Sequence, residues 1–168
     1  VPGIQILDSN DFELLRSTRT VSSHWDCSNG EMDKNSIICG DRSGKNRLIE
    51  FDRNDCSSFT AVNGESGSGA TNYALIHEVR KTPGKWVVSD LVNQRVKIHS
   101  SKSLGFLDKF GSLGNNTTSQ ENFHQPAGVC GDKTHIYVSD EGNRRLVKFS
   151  NSTNGVIGQV FIDHNTIA

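Results

Sequence analysis

The chain has 168 residues, of which 33% are hydrophobic, with a mean hydropathy of −0.50 and a formal net charge of −1. No apolar run is long enough to cross a bilayer, so the composition excludes a membrane-spanning helix. The near-neutral charge also gives no electrostatic sign of a nucleic-acid partner. The 16 Gly residues, together with the lack of an apolar stripe of helical period, predict many short strands joined by tight turns.

A short string of residues recurs three times along the chain. It reads "SIICGDRSGKNRLIEF" at residues 36–51, "KWVVSDLVNQRVKIH" at residues 85–99 and "HIYVSDEGNRRLVKF" at residues 135–149. The Asp that follows the apolar run is repeated at intervals of 49 and 50 residues. Self-similarity at a fixed period of this size indicates a repeat architecture, in which similar modules lie side by side.

In chain order, an incomplete module comes first and three complete modules follow it. The strings "GIQILDS" and "FELLRS" match the third and fourth strands of the later copies, so the chain is predicted to open with the outer half of a module. The residues after the last module are too few to complete that half, because a strand rises only about 3.3 Å per residue. The predicted boundaries are residues 1–16 for the half module, 17–62, 63–110 and 111–161 for the complete modules, and 162–168 for a tail.

The third module shows its strands most clearly. They are predicted at residues 127–131, 135–139, 145–150 and 156–161, with turn-forming Asp, Asn and Gly residues between them. Four antiparallel strands in a repeat of roughly 40–50 residues are typical of a β-propeller blade. The second strands of the modules are almost continuously apolar, which is expected where both faces of a sheet are covered.

The fold class predicted is therefore all-β, a β-propeller of four-stranded antiparallel blades. The chain supplies about three and a half blades, fewer than the rings of this class usually contain, so it forms a partial ring or half of an assembly. Open blade faces expose apolar surface and strand edges. We therefore expect further blades, from a longer chain or from a second copy, to close the ring.

Each copy of the string places an Asp at the end of its second strand and an Arg at the start of its third strand. A guanidinium can bind a carboxylate through two hydrogen bonds, and such a pair fixes the turn between two strands. We therefore predict a structural role, and not a catalytic one, for the Asp and Arg of every copy. The predicted pairs are Asp41 with Arg47, Asp90 with Arg95, and Asp140 with Arg145.

The third copy resembles an NHL repeat. The string "FHQPAGVCGDKTHIYVSDEGNRRLVKF" at residues 123–149 follows the pattern of that family, which runs Phe, Pro, Gly-Val, a strand, Asp, Asn, Arg and an apolar strand. The string "FLDKFGSLG" at residues 106–114 resembles the end of one NHL blade and the link to the next. The second copy has "IHEV" at residues 76–79 in place of the Pro and Gly signature, and the first copy lacks that signature too.

In the NHL fold, as the resemblance implies, one surface is built from the links between blades and from the turns between second and third strands. Arg and Lys side chains on such a surface can contact phosphate, and His or Gln side chains can contact a base. An ordinary solvated surface of mixed charge is the alternative. Here the links are residues 17–24, 62–77 and 111–125, and the turns are residues 42–46, 91–94 and 141–144. The candidate binding residues are Arg42, Lys45, His77, Arg80, His124, Gln125 and Arg144.

The resemblance implies a non-catalytic recognition domain that binds RNA, like the NHL domains of animal RING and B-box proteins, which bind mRNA and restrain its expression. One alternative is a protein-interaction platform. The other is a zinc-dependent lyase resembling the peptide-amidating enzymes, but such a site needs three protein ligands, and only His77 and His24 lie at matching strand starts. No catalytic residue, metal ligand or cofactor is predicted. The first residues show no signal-peptide pattern, so the predicted location is cytoplasmic, with secretion as the alternative.

Three smaller features complete the predictions. The four Cys residues match no zinc-site spacing, and Cys27 and Cys39 fall on neighbouring predicted strands, where they form either a disulfide or buried thiols. The string "NGESGSGATN" at residues 63–72 lacks the Lys-Ser/Thr ending of a phosphate-binding loop and is predicted to be a flexible link. Residues 115–118 and 151–153 match glycosylation sequons, although their residue types are also common in turns.

Overall fold

A computed structural model of the chain describes residues 5–7, 14–17, 27–32, 34–42, 45–54, 59–113, 122–151 and 162–163. This part of the chain is all-β, with a single turn of 3-10 helix and no α-helix among the described residues. None of the described segments forms a helix with the length and apolar character needed to span a membrane. Short runs of Val, Ile, Leu and Phe between Asn, Asp and Gly turns favour strands over helices, which explains this outcome.

The strands of the amino-terminal half of the described chain form one antiparallel pair and one four-stranded antiparallel sheet. The pair consists of β1 (Gln5–Leu7) and β2 (Leu14–Ser17). The first sheet, with its strands in chain order, consists of β3 (Cys27–Met32), β4 (Ser36–Asp41), β5 (Arg47–Asp52) and β6 (Phe59–Asn63).

Two further four-stranded antiparallel sheets follow within the described residues, and a short parallel pair lies between them. The second sheet consists of β7 (Ile76–Thr82), β8 (Lys85–Asp90), β9 (Arg95–Ser100) and β10 (Phe106–Phe110). The parallel pair consists of β11 (Ser112–Leu113) and β12 (Asn122–Phe123). The third sheet consists of β13 (Pro126–Gly131), β14 (His135–Asp140), β15 (Arg145–Ser150) and β16 (Ile162–Asp163), with a 3-10 turn at Glu141–Asn143.

The strand bounds of the third sheet lie close to those predicted from sequence. The strand β15 has the predicted bounds, and β13 and β14 are each extended by a residue at one end. The predicted fourth strand at residues 156–161 lies outside the described residues. Two residues of the predicted tail at residues 162–168, Ile162 and Asp163, form the short strand β16, because their backbone pairs with β15.

Neighbouring sheets pack face to face through two apolar clusters in the described part of the chain. The seam between the first and second sheets contains Ile38, Leu48, Tyr73, Ile76, Val79, Trp86, Val88 and Leu104. The seam between the second and third sheets contains Val87, Val96, Ile98, Phe123, Val129, Ile136, Val138, Val147 and Phe149.

The strand β8 shows why the second strands read as continuous apolar runs. Trp86 and Val88 fill the seam with the first sheet, while Val87 between them fills the seam with the third sheet. Both faces of β8 are therefore buried. In β14, buried residues alternate with half-buried ones such as Tyr137, because no further sheet of the described chain covers the outer face.

The first strands of neighbouring sheets are joined by side chains that reach backbone groups. The amide of Lys81 donates to the carboxylate of Glu31, and the amide of Val129 donates to Glu78 Oε2 at 2.8 Å. These bonds connect β3 to β7 and β7 to β13. They satisfy amide groups along the first strands, where the sheet has no neighbouring strand to accept from them.

Candidate functional site

Asp90 is completely buried and forms the centre of a hydrogen-bonded hub at the end of β8. Its Oδ2 accepts from Arg95 Nε at 2.9 Å and from Asn93 Nδ2 at 2.8 Å. Its Oδ1 accepts from the amides of Ala74 at 2.9 Å and Leu75 at 3.3 Å. One carboxylate therefore holds both the turn between β8 and β9 and the link that leads into β7.

The third sheet repeats this hub around Asp140. Its Oδ2 accepts from Arg145 Nε at 2.7 Å and from Asn143 Nδ2 at 2.9 Å, and its Oδ1 accepts from the amide of His124 at 2.7 Å. The side chain of Arg145 is 3% exposed. In both sheets, then, the Asn and the Arg of the repeated string donate to the buried carboxylate of its Asp.

The first sheet has the same ion pair in a more open setting. Asp41 Oδ2 accepts from Arg47 Nε at 3.0 Å, and the two residues lie directly opposite each other in the strand register. The Arg47 side chain is 18% exposed, against 5% for Arg95. The turn of the first sheet also has one residue more than the other two, so the guanidinium is less tightly enclosed there.

Arg95, in the hub of the second sheet, has further partners that were not predicted from the sequence. Its Nη1 donates to Ser68 O at 2.9 Å, and its Nη2 donates to Gly69 O at 2.8 Å and Asn72 O at 2.6 Å. Asn93 Nδ2 donates in addition to Gly67 O at 2.9 Å. The Gly-rich link, which sequence analysis expects to be flexible, is therefore a hydrogen-bonded loop anchored to the hub.

The turns and links of the described chain meet to form one continuous surface. The amide of Gly142 donates to His124 O at 2.7 Å, and the amide of Leu91 donates to Leu75 O at 2.9 Å. Between the second and third sheets, the amide of Gln125 donates to Gln94 Oε1 at 2.5 Å. We call this surface the link-and-turn face; its described residues are 42, 45–46, 64–75, 91–94, 122–125 and 141–144.

Most of the predicted binding residues lie on the link-and-turn face. Lys45, Gln125 and Arg144 are exposed, and Arg42 and His124 are half-buried. An open groove of about 440 Å³, lined by Ser139, Glu141, Arg144 and Arg145, begins at the third turn. The face also carries the exposed acids Glu65 and Glu141 and the exposed apolar side chain of Val92.

The other two predicted binding residues lie in β7. His77 is half-buried near the end of β7 that adjoins the face. Arg80 is not brought to the face, because it lies opposite Val87 in the middle of the strand and pairs with Glu78 Oε1 at 2.7 Å. Arg80 instead lines a second open groove of about 540 Å³, together with Glu31, Glu78 and the exposed Cys130.

The turns of the face adopt the same unusual backbone conformation. The residue before each Arg of the ion pairs has a positive φ, with values of 47° for Asn46, 57° for Gln94 and 52° for Arg144. Only Gly, and to a smaller extent Asn and Asp, adopts this conformation without strain. The repeated hubs therefore hold the turns, including exposed Arg144, in a fixed shape.

The described residues contain no group of three or more His, Cys, Asp or Glu side chains that could hold a metal ion. His24, which sequence analysis placed at a strand start, lies outside the described residues. Cys39 is disulfide-bonded, whereas Cys130 is free and exposed. Asn151 is buried and donates its amide nitrogen to Asp132 O at 2.6 Å, so it cannot accept a glycan in the folded state; the sequon at residues 115–118 lies outside the described residues.

No family model and no curated protein matches the chain. A crystal structure of a computationally designed protein matches 93% of this chain and 42% of its own length, with a TM-score of 0.60 and 10% sequence identity. The chain thus spans less than half of that protein's length. At this identity the match shows a shared fold alone.

Proposed function

We propose that the three described sheets are blades of an NHL-type β-propeller. Their equal strand number, antiparallel order and side-by-side packing through first strands support this proposal. The pair β1–β2 is then the outer half of a preceding blade. The chain contributes about three and a half blades, and further blades from a longer chain or a second copy complete the ring.

We further propose that the link-and-turn face is a non-catalytic recognition surface for single-stranded RNA. The observation that carries this proposal is the position of exposed Lys45 and Arg144, which lie on hub-held turns of the same face as Arg42. A turn whose backbone is already held in one shape loses little backbone freedom when its side chains contact phosphates. His124 and Gln125 lie between the turns of the second and third sheets, and in this proposal they contact bases.

The experiment is a salt titration of the binding of a fluorescently labelled single-stranded RNA, read by fluorescence anisotropy. If Arg42, Lys45 and Arg144 each neutralise one phosphate, the logarithm of the binding constant falls with the logarithm of the salt concentration at a slope of about −2. The affinity should then drop by about 20-fold between roughly 50 and 200 mM salt. Binding that does not change with salt, or no binding at low salt, rules out this function.

A second candidate function, a protein-interaction platform in an oxidising compartment, is favoured by the disulfide at Cys39 and by exposed Val92. Exposed apolar side chains on a rigid surface suit a protein partner better than RNA. Intact mass measurement on material purified without reductant distinguishes the two settings. A gain of about 2 Da on reduction shows the bond in the purified protein and favours the platform, whereas an unchanged mass removes this support for it.

A further inference from the structure

A polar cluster is buried in the otherwise apolar seam between the first and second sheets. Lys97 and His99 lie two residues apart on β9, and both are 0% exposed. Tyr73, from the link at residues 64–75, covers both of them: Lys97 Nζ lies 3.6 Å from the centre of the Tyr73 ring, and the Tyr73 hydroxyl lies 2.5 Å from His99 Nε2. The residue types at these three positions do not predict a buried polar cluster.

The hydrogen bonds of His99 define its proton position. His99 Nδ1 lies 2.9 Å from Leu104 O, and a carbonyl can only accept, so Nδ1 carries the proton. His99 Nε2 therefore accepts from the Tyr73 hydroxyl. Burial lowers the pKa of His99 to about 4 and raises the pKa of Tyr73 well above its ordinary value, so both groups are neutral in neutral solution.

Lys97 is the group of the cluster that can change its charge near neutral pH. Its Nζ donates to Asn72 O, which also accepts from Arg95. Burial, together with the nearby Arg95 guanidinium, lowers the pKa of Lys97 from 10.5 to about 7; Asp90 opposes this shift and Lys109 adds to it. The first sheet contributes the apolar side chains of Ile38 and Leu48 to this seam. On the same face it carries one half-buried carboxylate, Glu50, which lies opposite Ile38 and accepts from Ser36 Oγ at 2.5 Å.

We propose that Lys97 is a proton-linked latch for the link at residues 64–75, because release of Asn72 and Tyr73 from the seam exposes its amine to water and lets it take up a proton. The link lies directly over Nζ, so the amine cannot become hydrated while Tyr73 stays in place. This proposal concerns the position of the link and does not depend on whether the face binds RNA.

The sign of the pH effect follows from proton linkage. An exposed lysine has a pKa of about 10.4, so between pH 7 and about pH 10 the released link binds one proton more than the docked link. Release is then favoured about tenfold for each unit that the pH falls, down to about pH 7, below which both forms are protonated. The link is therefore held most tightly in alkaline solution.

The test is amide hydrogen exchange of the full chain, followed by mass spectrometry between pH 6 and pH 9. The amides of Gly67, Asn72 and Tyr73 are hydrogen-bonded within the link and report its release. Exchange chemistry itself speeds up about tenfold per pH unit. Between pH 7 and pH 9, the population of the released link falls by the same factor, so we expect exchange of the link to stay constant within about threefold.

The chain contains matched controls for this experiment. In the third sheet, Val147 occupies the position that corresponds to Lys97, and valine does not titrate. Exchange of the His124 amide, in the corresponding link, should therefore become about tenfold faster for each unit that the pH rises. Lys97→Met should restore the same tenfold dependence in the link at residues 64–75, whereas Lys102→Met, at an exposed lysine of the turn after β9, should leave the constant profile unchanged. If exchange of the wild-type link rises about tenfold per unit from pH 7 to pH 9, the proposal is wrong, and this result needs no folded variant.

Discussion

Removing the Arg95 side chain should reduce the stability of the protein more than removing the side chain of Arg47, which holds the same position in the first sheet. Arg95→Ala leaves the carboxylate of Asp90 buried without its cation and removes three donors from the carbonyls of the Gly-rich link. Breaking a buried ion pair by removing one partner costs about 3–5 kcal/mol. Arg47→Ala removes one partly exposed ion pair, and water can reach the vacated space, so its expected cost is about 1–2 kcal/mol.

Urea denaturation followed by tryptophan fluorescence measures this difference, because Trp86 is buried in the seam beside the link. With a denaturant slope of about 2 kcal/mol per molar, Arg95→Ala should lower the unfolding midpoint by about 2 M. Arg47→Ala should lower it by less than about 1 M.

The comparison of the two Arg variants decides the outcome. If Arg95→Ala is unfolded before urea is added while Arg47→Ala folds, the predicted order still holds. Equal midpoints for the two variants would show that the bonds from Arg95 to the link contribute no stability. The assignment of that Arg as the anchor of the link would then be refuted.

Further predictions concern the link, the latch and Gly111, which lies between β10 and β11. The unfolding free energy should rise by about 1.4 kcal/mol per unit from pH 7 to about pH 10, since the lowered pKa of Lys97 makes the unfolded state bind more protons; Lys97→Met should abolish this rise in pH-dependent urea titrations. Tyr73→Phe leaves His99 Nε2 buried without a donor and should cost about 1–3 kcal/mol, measured as a urea midpoint at pH 7. Gly111 has φ +94°, and an added Cβ would lie 2.1 Å from the Phe123 ring. Gly111→Ala should therefore reduce the unfolding free energy by about 2–4 kcal/mol and lower the melting temperature by several degrees. Gly84→Ala should lower the melting temperature less, because nothing lies within 4 Å of an added Cβ there.

The repeat and its ion pairs were predictable from sequence because they depend on local patterns. The period of the repeated string located the strands, and Asp90 and Arg95 lie opposite each other in the strand register, where the turn between them had to bring them together. The end of the third sheet was not predictable to the residue, because the strand β16 has no comparable string to align with.

The contacts of the link could not be predicted from residue types. Arg95 binds three backbone carbonyls, and a carbonyl has no signature in a sequence, so a Gly-rich segment gave no sign that it was anchored. The burial of Lys97 was equally hidden, since polar residues on a strand usually face solvent. By contrast, the pairing of Arg80 with Glu78 had a signal, because residues two apart in a strand lie on the same side.

The proposal that the link-and-turn face recognises RNA can be tested by charge reversal at the two opposite ends of the sheets. Lys45→Glu combined with Arg144→Glu changes the face, while Lys102→Glu combined with Lys133→Glu changes exposed turns at the other ends of the strands and alters net charge equally. Anisotropy with one labelled single-stranded RNA should show at least about tenfold weaker binding for the first variant and less than about threefold for the second. Equal losses for the two variants would contradict the account, because binding would then follow net charge alone and not this face.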